Sequence, residues 1–135
     1  MIQRIQSVLL FLAFLLNGSV FFNALYRHAM EDPSRWIGIT FASVLAVAML
    51  LPLICIFLYN SRQNQQRWIT VSLLLNIVML GFGAGLFFSM GGFGPFLWNE
   101  AVGLLLLLVA LLMQLYARKK VKDDIELVRS MDRIR

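Results

Sequence analysis

The chain has 135 residues, 60% of them hydrophobic and 14% charged, with a net charge of +5. Soluble domains carry about 45–50% apolar and about 25% charged residues, so this balance excludes an ordinary soluble domain and points to an integral membrane protein. The positive charge does not indicate nucleic acid: Lys and Arg sit mostly in the last eighteen residues and in short connectors, with no basic patch interleaved with exposed aromatics.

In chain order, Met1-Ile2-Gln3-Arg4 is a short basic head. Residues 5–25 form an apolar run, interrupted by Asn17-Gly18-Ser19 and by Asn23. About 20 apolar residues cross the roughly 30 Å hydrocarbon core of a bilayer. A signal peptide starts similarly, but its apolar region is about 7–15 residues long. We therefore expect a first transmembrane helix. Asn17 lies deep in it, and an amide there should face a neighbouring helix rather than lipid.

Residues 26–35 read as a polar loop in which Arg27, Glu31, Asp32 and Arg35 cancel and His28 is the one histidine. Asp32-Pro33-Ser34 reads as a turn and helix start. Trp36 marks an interface. The second span is expected over 36–59. Gly38, Ala42 and Ala46 are four apart, which makes a face that another helix could approach closely. Pro52 should kink this helix. Cys55, the one cysteine, lies inside the run and reads as a buried structural thiol; it can form neither an internal disulfide nor a Cys-rich metal site.

Residues 60–67 are a polar connector with Arg62 and Arg67, and Trp68 marks the interface again. The third span is expected over 69–90, with Ser72 and Asn76 on one face near its start. Gly81, Gly85 and Ser89 make a small-residue packing stripe near its end, and Gly83 lies off it. Gly91 to Pro95 is an uncharged turn. The fourth span is expected over 96–117. Glu100 in its first turn has two readings: a cap stabilised by the helix dipole, or a proton or cation site at a membrane entrance. The featureless stretch 104–113 suits a largely lipid-facing helix. Gln114 and Tyr116 fall near the inner interface.

Orientation follows from counting. With both ends inside, ten of the twelve Lys and Arg residues are cytoplasmic and only Arg27 and Arg35 lie outside. The positive-inside rule gives cytoplasmic N- and C-termini. The expected organisation is an all-α, four-helix transmembrane domain over 1–117 with a basic amphipathic cytoplasmic tail over 118–135. Nothing in the tail stops the fourth helix from continuing. Val121, Ile125 and Val128, with Leu127, Met131 and Ile134 beside them, make a broad apolar stripe. The basic start, Arg118 to Lys122, favours anionic lipid. The mixed charges further out suit a protein partner, either another membrane subunit or a second copy.

Two end motifs carry a resemblance. Met1-Ile2-Gln3-Arg4-Ile5-Gln6-Ser7 and Leu127-Val128-Arg129-Ser130-Met131-Asp132-Arg133-Ile134-Arg135 resemble a Bacteroidota-type family of small four-helix membrane proteins catalogued as a domain of unknown function. The layout of two hairpins, a basic connector and a basic ending is similar throughout. The family pattern follows Asp124 with a second acidic residue; Ile125 departs from it and widens the apolar stripe. The resemblance implies a bacterial inner membrane and brings no activity and no catalytic residues.

The chemistry of an enzyme is not legible. One His excludes a bis-His haem site within the chain and a His-rich metal site. No carboxylate pair falls within the spans for acid–base work. No base stands ready to activate a Ser nucleophile. No cofactor is expected. The leading expectation is a non-enzymatic accessory or scaffold subunit of a larger inner-membrane complex. The alternative is a small oligomeric transporter or channel lined by Asn17, Asn76 and Glu100.

Overall fold

The computed structural model describes residues 2–91, 94 and 97–134. Five helices make up almost all of it: α1 (Ile2–Ser19), α2 (Ala24–Glu31), α3 (Arg35–Phe57), α4 (Arg62–Ser89) and α5 (Trp98–Ile134), with a single 3₁₀ turn, Val20–Phe22, between α1 and α2. Four stretches, Arg4–Phe22, Arg35–Phe57, Arg62–Ser89 and Trp98–Ile134, are long and apolar enough to cross a membrane. Most of the expected turn before the fourth span (Gly92, Phe93 and Pro95), the residue that opens that span (Phe96) and the last residue (Arg135) lie outside the described residues.

Two boundaries differ from expectation, and both have local causes. The run expected to end at Leu25 turns at Val20–Phe22, and residues expected as loop form α2. Asn23 is the reason. Its backbone is extended (φ −87°, ψ 156°) and its side chain accepts a hydrogen bond from the Leu25 N–H at 2.9 Å. An Asn in this position starts a helix. At the next boundary Asp32 Oδ1 accepts from the Ser34 N–H at 2.8 Å, a side-chain turn that leads into α3. The connector expected over 60–67 is mostly the first turns of α4.

Burial follows one rule on all four long helices. The seam positions are 6, 10, 13, 17, 20 and 24 around α1; 38, 41, 45, 48, 52 and 55 on α3; 65, 69, 72, 76, 79 and 83 on α4, where Leu73 and Phe87 are buried as well; and 100, 103, 107, 110, 114, 117, 121 and 124 on α5. Steps of three and four alternate, so each helix carries two interleaved seven-residue series. That is the seam of a coiled-coil-like bundle, with side chains meeting at regular levels. α1 packs on α3 and α5, and α4 packs on the same two, so the helices form a ring with α1 and α4 on a diagonal. Val8, Phe11, Val47, Ile54, Leu74, Val78, Leu105 and Leu112 face outward. An apolar exterior of this kind is what a bilayer solvates.

Two apolar clusters fill the seam. Val20, Leu25, Ala29, Phe41, Leu45, Met79 and Leu107 pack at the α2 end. Leu10, Cys55, Ile69, Ala117 and Val121 pack at the tail end. The expectation of a largely lipid-facing fourth span is corrected here: Leu107 and Ala110 are fully buried, and α5 lies between α1 and α4. The stripe of Gly81, Gly85 and Ser89 faces away from the bundle, and a Cβ added at either glycine would meet nothing within 4 Å. Gly83 is the packed glycine of α4, against Leu104, Leu107 and Leu25. Ala42 and Ala46 are half-buried beside the α3 seam rather than on it, and only Gly38 of that set is buried.

Two glycines hold α2 down. A Cβ on Gly38 would sit 2.7 Å from the Ala29 carbonyl oxygen. One on Gly103 would sit 2.5 Å from Asn23 Oδ1 and 3.0 Å from Leu25 Cβ. We predict that Gly103→Ala lowers the unfolding free energy in mild detergent by about 1–3 kcal/mol, as for other overpacked cores. Gly81→Ala should be neutral or slightly stabilising, since Ala is the better helix former. The reverse order would contradict this packing.

Candidate functional site

Proline has no N–H to give. In α3, Pro52 therefore leaves the carbonyl of Ala48, four residues earlier, without its helical donor. Asn17 of α1 supplies one: its Nδ2 donates to the Ala48 oxygen at 3.0 Å. Asn17 and Ala48 are both fully buried. The deep amide thus completes a hydrogen-bond ladder that its neighbour's proline breaks, which is how proline is tolerated inside apolar bundles. Asn17 Oδ1 has no hydrogen-bond partner among the described residues.

Around this bond lies a polar zone. Between the two apolar clusters each long helix contributes two seam residues: Ala13 and Asn17, Ala48 and Pro52, Ser72 and Asn76, Ala110 and Gln114. At 1.5 Å of rise per residue, the antiparallel register sorts them into two levels about 6 Å apart. Asn17, Ala48, Asn76 and Ala110 form the level nearer α2. Ala13, Pro52, Ser72 and Gln114 form the level nearer the tail. Asn17, Ser72, Asn76 and Gln114 are all 0% exposed. Both amide atoms of Asn76, both of Gln114 and the Ser72 hydroxyl have no hydrogen-bond partner among the described residues. The outward-facing hydroxyls contrast with this: Ser19, Thr40, Ser43 and Ser89 each bond a carbonyl of their own helix. A buried polar group left unpaired costs about 1–3 kcal/mol, so these atoms call for partners.

Each end of the bundle carries a polar contact. At the α2 end, His28 Nε2 lies 2.9 Å from Glu100 Oε1. Glu100 is only 4% exposed, and its other oxygen has no partner among the described residues. Its side chain is therefore turned onto α2 rather than held in solvent at the start of α5. A recess of about 240 Å³, lined by Ala24, Arg27, His28, Glu31, Asn99 and Glu100, opens beside the pair. At the tail end, Gln65 Nε2 donates to the Cys55 carbonyl at 3.1 Å and so serves one of the last carbonyls of α3. Arg62 Nε meets the buried Asp124 carboxylate at 3.2 Å, tying the start of α4 to α5. Among the described residues no group of three His, Cys, Asp or Glu side chains is placed to hold a metal ion.

The structure thus brings Asn17 and Asn76 to one level and places Glu100 at the far end of the same seam. The tail residues divide. Val121 is buried and Ile125 packs against the tail-end cluster, whereas Leu127, Val128, Met131 and Ile134 are exposed. Sequence reading missed Gln6, Gln65, Arg62 and Asp124 as interior or bonded groups and placed Gln114 near an interface. The signal was present: 65, 72 and 79 on α4, and 100, 107, 114 and 121 on α5, are seven-residue series through polar and apolar residues alike.

These features define a class: a small all-helical bundle with four membrane-length helices and a polar seam. The sequence model of one family, described as Domain of unknown function (DUF4293), matches residues 2–134. The chain belongs to that family. No curated protein and no solved structure matches it.

The pairing of Asn17 with the proline-freed carbonyl makes a thermodynamic prediction. Asn17→Leu alone should destabilise the bundle by about 1–2 kcal/mol. In a Pro52→Ala background the backbone N–H returns to Ala48, and the same substitution should cost less. Unfolding of both single variants and the double variant measures the coupling, expected near 1 kcal/mol. Strict additivity would contradict the assignment.

Proposed function

We propose that this protein is a small, non-enzymatic accessory or scaffold subunit of a larger assembly in a bacterial inner membrane. The observation that carries the reading is the form of α5. It is a single helix of 37 residues, about 55 Å long at 1.5 Å per residue. The bundle uses it only as far as Ile125. Residues 126–134 are all exposed, with Ile134 at 87%. A helix held rigidly at one end, with Leu127, Val128, Met131 and Ile134 uncovered, presents an anchored interaction surface. Lys122 and Glu126 form an i,i+4 pair at 3.9 Å at its base. Glu126, Arg129, Asp132 and Arg133 then mix both signs around the apolar residues. That mixture suits a groove on a protein subunit with complementary charges at its rim.

The remaining features fit this reading. The outward stripe of Gly81, Gly85 and Ser89 is a second surface for close helix approach, here by a membrane helix of the partner. Both chain ends are cytoplasmic by the distribution of Lys and Arg. Arg118 to Lys122 lie where they meet anionic headgroups, and Lys120 sits 5.2 Å above the Tyr116 ring at that level. A Bacteroidota origin accords with the end motifs. Transport has less support. Asn17 is bonded to α3, and apolar clusters close the seam on either side of Asn17 and Asn76.

The test is a native pull-down from the source membrane, with the tag in the loop at the α2 end. Truncation must follow Ile125, because Val121 and Asp124 belong to the bundle core. We expect a stoichiometric membrane-protein partner that is lost on truncation and also with Leu127→Glu plus Met131→Glu, while the bundle still folds. A partner retained by both variants, or a monomer with none, would contradict the proposal.

A further inference from the structure

The accessory reading leaves the middle of the bundle unexplained. A scaffold needs apolar packing there, and this chain places four polar side chains instead. Three of them are hydrogen-bonded to nothing among the described residues. We propose that the two levels between the apolar clusters form an internal binding site for a small neutral hydrogen-bonding molecule, and that the resident molecule is water.

Three features of the bundle support this site. The first is chemical. The unpartnered atoms include acceptors (Asn17 Oδ1, Asn76 Oδ1, Gln114 Oε1), donors (Asn76 Nδ2, Gln114 Nε2) and the Ser72 hydroxyl, which does both. A cation would serve the acceptors and leave the donors facing it. An anion would do the reverse. No charged side chain stands at either level to balance an ion. Water serves both kinds of atom, and a buried water ordinarily needs two to four such partners.

The second observation is space. The other seam residues at these levels are Ala13, Ala48 and Ala110, with Pro52; among the described residues the one large buried apolar residue beside them is Leu73, next to Ser72. Leu or Phe in those places would fill the bundle axis, as Phe41, Leu45 and Leu107 do at the α2 end. Small residues beside amides that make no hydrogen bond to one another are the arrangement in which a small molecule can be taken up at the axis. The third is closure. Val20, Leu25 and Met79 close one side, and Leu10, Ile69 and Val121 close the other. Molecules held between them exchange slowly with bulk solvent. The two levels are therefore an occluded chamber, with Asn76 and Gln114 as its principal ligands and Asn17 fixed at its wall by the Ala48 bond.

The experiment uses the full chain, isotope-labelled and reconstituted in lipid nanodiscs. Magnetisation transfer is read by NMR from water to the side-chain NH₂ protons. We expect direct cross-peaks to long-lived water for two buried amides. Asn76→Leu should remove one set and Gln114→Leu the other, while the cross-peaks of the remaining amide persist. They should also persist in Ser72→Ala, which excludes relay through the hydroxyl. The cross-peaks are read in the unsubstituted protein, so a variant that fails to fold does not decide the outcome. The proposal is overturned if the Asn76 and Gln114 amide protons show contacts only to protein protons, or if their water signals vanish with Ser72→Ala.

Discussion

A proline in the middle of a membrane-length helix exposes a carbonyl that its own helix cannot satisfy. Everything distinctive about this bundle surrounds that constraint. Pro52 opens the α3 ladder at Ala48, and Asn17 closes it from α1 at 3.0 Å. The bond fixes the rotation of α1 against α3, because a one-residue turn of either helix takes the amide off the seam. With that pair set, the seven-residue spacing brings the rest of each seam inward. Ser72, Asn76 and Gln114 are then buried in the same zone. One backbone requirement accounts for Asn17, and the regular repeat accounts for the inward placing of the other polar residues.

The same logic explains the two ends. The first span is cut short by Asn23, which caps α2. α2 folds back because Gly38 and Gly103 leave it space. Its His28 then reaches Glu100, so the carboxylate at the start of α5 is held within the fold. At the opposite end, Gln65 and the Arg62–Asp124 pair tie the α3–α4 connection to α5 just before α5 leaves the bundle. Polar contacts on the seam therefore mark the α2 end, the middle and the tail end. The apolar clusters lie between them.

Much of this architecture was legible in the sequence, for identifiable reasons. The four apolar runs need only hydropathy. The inward direction of Asn17 and Asn76 follows from the cost of an amide in hydrocarbon. The packing faces were harder, because α3 and α4 are apolar nearly all round and hydropathy cannot distinguish core from lipid. Small residues do not by themselves mark the face that packs within the chain: Gly81 and Gly85 make a stripe that faces away from the bundle, whereas the chain packs on Gly83. Asn23 was read as an interruption of a span, since a cap and a polar break look alike without the turn that follows. Only the seven-residue recurrence of polar positions, such as Gln65 and Ser72, marks the seam.

The central claim is that the polar seam positions of the four helices face one another and not the lipid. α5 offers the most direct measurement. Spin labels would be placed one at a time from position 104 to 117 in the chain reconstituted in bilayers, and collisions with lipid-dissolved oxygen recorded. The account predicts minima at 107, 110, 114 and 117 and maxima at 105, 108, 112 and 115. A maximum at Gln114, or a profile without the alternating three- and four-residue period, would contradict it.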